Sequence, residues 1–98
     1  MTQAAGQSPV RAHILVCGRV QGVGFRAFAA RTAARLDLFG GVRNLDDGRV
    51  ELDVEGKRAV IEALVRELKT GPPAAHVTKT ETEWGVATGR YSDFRIWY

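Results

Sequence analysis

Hydrophobic and polar positions alternate at the start of the chain: Val10, Ala12, Ile14 and Val16 fall on one face, Arg11 and His13 on the other, before Leu15 and Cys17 turn that second face apolar too. This predicts an interior strand over 10–17. Gly18, Gly22 and Gly24 break the alternation, and Phe25, Phe28, Ala29, Thr32 and Leu36 then recur at helical period. The helix is expected to stop near Leu36 or Asp37, because Gly40-Gly41 continues a helix poorly. A second strand is expected from Val42 to about Leu45. Asp46-Asp47-Gly48 signals a tight turn, and Val50, Leu52 and Val54 then alternate with Arg49, Glu51, Asp53 and Glu55, which predicts a hairpin with one wet face. Val60, Ile61, Leu64, Val65 and Leu68 form a helical stripe within 57–70, closed by Gly71-Pro72-Pro73. The threonine-rich run 77–84 predicts a strand exposed on one face, a loop follows to Tyr91, and 94–98 is a short last strand.

Strand, helix, strand, strand, helix, strand, strand is an α+β order. It packs as a ferredoxin-like α/β sandwich, with two helices on one face of a mainly antiparallel five-stranded sheet. The 98 residues allow one core, expected over 10–98, with 1–9 as a flexible, polar and alanine-rich tail. Hydrophobic content of 45% and charged content of 26% are those of a globular chain. A net charge of +3 attracts small anions without implying a nucleic-acid coat. With Cys17 the only cysteine, intrachain disulfides and paired-cysteine metal sites are excluded, and a cytoplasmic monomer is expected. No apolar run reaches the roughly 20 residues that span a bilayer, so no membrane partner is expected.

The glycine-rich segment 18–26 leaves a strand and opens a helix. There the unpaired N–H groups of a first turn and the positive end of the helix dipole converge, and Arg26 adds a fork of donors suited to a phosphate or carboxylate. Spacing alone leaves two readings level: an anion cradle, or a tight connection followed by a surface arginine. Gly18-Arg19-Val20-Gln21-Gly22-Val23-Gly24-Phe25-Arg26 closely resembles the signature of the acylphosphatase family. Gly41-Val42-Arg43-Asn44 followed by Asp47-Gly48-Arg49-Val50 resembles the family's second signature, in the same order and at the same separation. The resemblance covers about 10–98 and implies the sandwich fold. It also implies hydrolysis of a small acyl phosphate to a carboxylate and inorganic phosphate, without metal or cofactor. By motif, the backbone of Gln21, Gly22, Val23, Gly24, Phe25 and Arg26 and the Arg26 side chain would bind the phosphate, and Asn44 would orient the attacking water. The competing reading is a non-catalytic module that keeps the cradle for an anion or a nucleic acid; nucleic acid is not the expected partner.

Other candidates carry less. Asp46 and Asp47 are read as turn formers rather than Mg²⁺ ligands, His13 and His76 have no ligand spacing, and Cys17 is read as a small buried hydrophobe. Arg19 and Arg43 flank the site without an assigned role, and Trp84, Trp97 and Tyr98 are read as packing or edge residues. Two positions depart from the family pattern: Asp37 stands where a glycine usually follows the helix, and Gly41 where a tryptophan commonly precedes Val42. The second is expected to remove aromatic cover near Asn44. If Asp37 is held left-handed, that costs on the order of 1 kcal/mol.

Overall fold

Alternation along the strands decides which face is covered. In a computed structural model, which describes residues 8–98, Ala12, Ile14 and Val16 of β1 (Pro9–Arg19) share one face of the sheet with Val50, Leu52 and Val54 of β3 (Val50–Lys57) and Val42 of β2 (Phe39–Asn44). All seven are fully buried. Two helices supply the other half of the core: α1 (Phe25–Arg35) through Phe25, Ala29 and Ala33, and α2 (Arg58–Thr70) through Ile61, Leu64 and Leu68. β4 (His76–Val86) and β5 (Phe94–Ile96) complete a sheet of order β4-β1-β3-β2-β5, antiparallel except for the β2–β5 pair. This is the expected ferredoxin-like sandwich, with β1 interior. Residues 1–7 of the expected tail lie outside the described residues, and β1 already begins at Pro9.

Two strand boundaries differ from the sequence expectation for identifiable reasons, and the first helix ends where expected but by a different stop. β1 runs on through Gly18 and Arg19, because both continue to pair with β4 after a register shift at Cys17/Gly18. The helix is stopped by Asp37, not by the glycine pair: Asp37 has φ 58°, its N–H donates to Ala34 and that of Leu38 to Ala33, satisfying two helix-end carbonyls. Gly40 and Gly41 are strand residues, paired with Val54 and Asp53.

The supposedly wet face of the hairpin is only half wet. Asp53 and Glu55 are 7% and 4% exposed. The loop after β4 folds back across them: Thr88 and Gly89 donate to Glu55, and the Tyr91 hydroxyl donates to Asp53, which also receives Arg11. Those partners stand more than thirty residues away in sequence, beyond the reach of any periodicity argument. Further along that face, Glu51 bridges His13 and Arg43, each at 2.6 Å.

Candidate active site

β1 and α1 are joined by Val20–Gly24. Val20 is buried in the core, which anchors the start of the loop. Gly22 and Gly24 then turn through φ 75° and 79°, a conformation that strains any residue with a Cβ. Gly24 is the N-cap of α1, and neither a side-chain cap nor an acidic residue covers the first turn. The helix therefore presents unsatisfied N–H groups and the positive end of its dipole to whatever lies in front of it. Phe25, 1% exposed, buries its ring and holds that end in place.

Gln21 acts in the other direction. Its Nε2 donates to the carbonyls of Leu45 at 2.7 Å and Arg49 at 2.9 Å, so the loop is tied to both strands of the β2–β3 hairpin. Asn44, the last residue of β2, faces the loop from that hairpin. Its Oδ1 is buried and has no hydrogen-bond partner among the described residues. A buried acceptor left bare costs about 1–3 kcal/mol, which folding alone gives no reason to keep.

Loop and strand enclose a cavity of about 190 Å³ in which Gly22, Gly24, Arg26 and Asn44 meet, closed on one side by Ile96 and Tyr98. Among the residues expected at the site, Gly22, Gly24, Phe25, Arg26 and Asn44 line it; Gln21 and Val23 do not. A second cavity of about 380 Å³ adjoins it, sharing Arg26, Asn44 and Tyr98 and extending to Arg43, Leu45, Asp46 and Trp97. Trp97 and Tyr98, read from sequence as packing or edge residues, thus belong to the surroundings of the site. What brings them there is the parallel pairing of Gly40, Gly41 and Val42 with Phe94, Arg95 and Ile96, which leaves no local sequence signal.

Positive charge in the cavity is available to a ligand. No carboxylate pairs with Arg26 among the described residues; its guanidinium lies over the Tyr98 ring, 5.3 Å from the centroid. The neighbouring cations are already engaged, Arg43 by Glu51 and Arg49 by Asp47. Asp47 is a turn former, as expected: it accepts from the Arg49 guanidinium and the Arg49 N–H, and these bonds hold its carboxyl below the usual range. Among the described residues no group of three or more His, Cys, Asp or Glu side chains is arranged to hold a metal ion. Among the described residues no helix is long and apolar enough to cross a membrane.

The arrangement can bind a tetrahedral oxyanion through backbone N–H groups and one guanidinium, and can present one amide to a water beside it. Comparison with known proteins agrees with that chemistry. The family model described as Acylphosphatase matches residues 12–96. The acylphosphatase of Anaeromyxobacter sp. (strain Fw109-5) is 54% identical over 86 residues, 88% of this chain and 92% of that one. That of Anaeromyxobacter dehalogenans (strain 2CP-C) is 55% identical over 87 residues, 89% of this chain and 94% of that one. The crystal structure of acylphosphatase from Bacillus subtilis superposes with a TM-score of 0.88 at 38% identity, covering 91% of this chain and 99% of that one.

Proposed function

This chain belongs to the acylphosphatase family, and we propose that the cavity between the Val20–Gly24 loop and the end of β2 is where it hydrolyses an acyl phosphate. The activity is that of a hydrolase that splits a carboxyl–phosphate bond into a carboxylate and inorganic phosphate. In the proposed division of labour, the backbone N–H groups between Gln21 and Arg26 and the Arg26 guanidinium hold the phosphoryl oxygens. Asn44 holds the water.

The observation that carries this reading is the bare, buried Oδ1 of Asn44 in the same cavity as Arg26. It is a free acceptor in the cavity lining, and a water accepted there would be oriented toward a phosphoryl group lodged on the loop. An amide cannot remove the water's proton, so its contribution is placement.

The chemistry needs little more. As the water oxygen bonds to phosphorus, the bond from phosphorus to the acyl oxygen breaks and its electron pair leaves on the carboxylate. The conjugate acid of that leaving group has a pKa of about 4, so it departs without a general acid. The water's proton passes to a phosphoryl oxygen of the substrate. Preorganised N–H groups and a guanidinium meet the charge that shifts during transfer, at no cost of reorganisation. No step draws on a metal or cofactor.

We further read residues 10–98 as one domain that works as a cytoplasmic monomer. Cys17, the single cysteine, is suited to a reducing compartment. Phosphate release from benzoyl phosphate tests the proposal: the rate is expected to be the same with and without EDTA. Loss of activity on chelation would sink the metal-free mechanism.

A further inference from the structure

The segment after β5 is docked on a position that has no side chain. A Cβ placed on Gly41 would stand 2.1 Å from Cε2 and 2.3 Å from Cζ2 of Trp97, so the indole fills the space that any other residue at 41 would need. The aromatic cover that Gly41 was expected to remove is thus supplied by the segment after β5. Two more contacts fix Trp97. Its N–H donates to the Val42 carbonyl at 2.7 Å, and its ring lies 6.0 Å from that of Tyr91, whose hydroxyl is held by Asp53.

The residue that follows behaves differently. Tyr98 is 99% exposed, yet its ring lies over the Arg26 guanidinium. An exposed side chain has little to hold it in one place, so its position depends on the backbone before it, and that backbone is fixed through Trp97.

We propose that Trp97 is a positioning residue for the phosphate cavity: docked on Gly41, it seats Tyr98 over the Arg26 guanidinium and so holds that cation toward the loop. This rests on the reading of Arg26 as the phosphate-binding side chain. Arginine loses considerable rotamer freedom when it grips an oxyanion, and a stacked ring removes part of that freedom beforehand. The effect should appear in phosphate affinity rather than in the chemical step.

The test measures, on the full chain, competitive inhibition by inorganic phosphate together with kcat and KM for benzoyl phosphate. Trp97→Ala is expected to raise the phosphate inhibition constant and KM by roughly fivefold, the size of one exposed cation–π contact, with kcat changed less than about twofold. Trp97→Phe should recover most of the affinity. Gly41→Ala, whose methyl would strike the indole, should weaken phosphate binding in the wild-type background and add nothing to Trp97→Ala. If Trp97→Ala does not fold, Tyr98→Ala decides, since it cuts the same link without touching Gly41 and should raise the inhibition constant to the same extent. Folded Trp97→Ala or Tyr98→Ala protein with unaltered phosphate inhibition would overturn the positioning role alone. A wild-type protein that leaves benzoyl phosphate intact would overturn the reading of the site beneath it.

Discussion

Gln21 reaches across the site to Leu45: its Nε2 donates to the Leu45 carbonyl at 2.7 Å, where the hairpin leaves β2 one residue after Asn44. The bond couples the two halves of the proposed site, since it joins the loop proposed to hold the phosphate to the strand end that carries Asn44. A second bond from the same nitrogen to Arg49 makes the link a clamp on both strands of the hairpin.

Gln21→Ala should therefore cost activity as well as stability. Two carbonyls lose a donor, worth about 1–2 kcal/mol together, and the loop is free to shift against Asn44, which is expected to lower kcat about tenfold. Steady-state kinetics on benzoyl phosphate check this. Unchanged kcat would mean that the loop keeps its place without the clamp.

Asp37 offers a gain. It sits in the left-handed region at φ 58°, and its N–H and that of Leu38 close the end of α1 as a glycine would without strain. Asp37→Gly is predicted to stabilise the chain by about 0.5–1 kcal/mol, a rise in Tm of about 2–6 °C. The prediction fails if thermal denaturation shows Tm unchanged or lower.

Acid should unfold the protein through the covered face. Burial by itself pushes the Asp53 and Glu55 carboxyls up. Hydrogen bonds from Arg11 and Tyr91 to the first, and from Thr88 and Gly89 to the second, more than reverse it, leaving both below their ordinary 3.8 and 4.5. Because the folded values are depressed, the stability they contribute is complete above about pH 5 and is lost as pH falls through those folded values. Asp53→Asn should cost on the order of 2–3 kcal/mol at neutral pH and flatten the acid limb of the stability curve. Urea midpoints that match at about pH 3 and about pH 7 would contradict it.

Much of this was legible in the amino-acid order. Alternation at Val50, Leu52 and Val54 marked the core strand, and Asp47-Gly48 marked the turn. The glycines marked the loop that opens α1 and sets Arg26 in its first turn, because each of these signals lies within a few residues of its own effect. What stayed hidden depends on chain segments meeting from afar. Asp53 and Glu55 looked solvated until the loop at 88–91 closed over them. Gly41 looked like a missing aromatic until Trp97 was found in its place. The end of α1 was legible near Asp37, which stands where the family pattern has a glycine; what the structure adds is that Asp37 itself, at φ 58°, makes the stop that the expectation gave to Gly40-Gly41.

The division of labour between Arg26 and Asn44 is tested most directly by comparing kcat for benzoyl phosphate with inhibition by inorganic phosphate in Arg26→Ala and Asn44→Ala. Arg26→Ala should weaken phosphate inhibition about 10- to 100-fold as a charge-assisted contact is lost. Asn44→Ala should lower kcat by about 10²- to 10³-fold while phosphate still binds as it does to the wild type. An Asn44→Ala protein that turns over benzoyl phosphate at the wild-type rate would contradict the account.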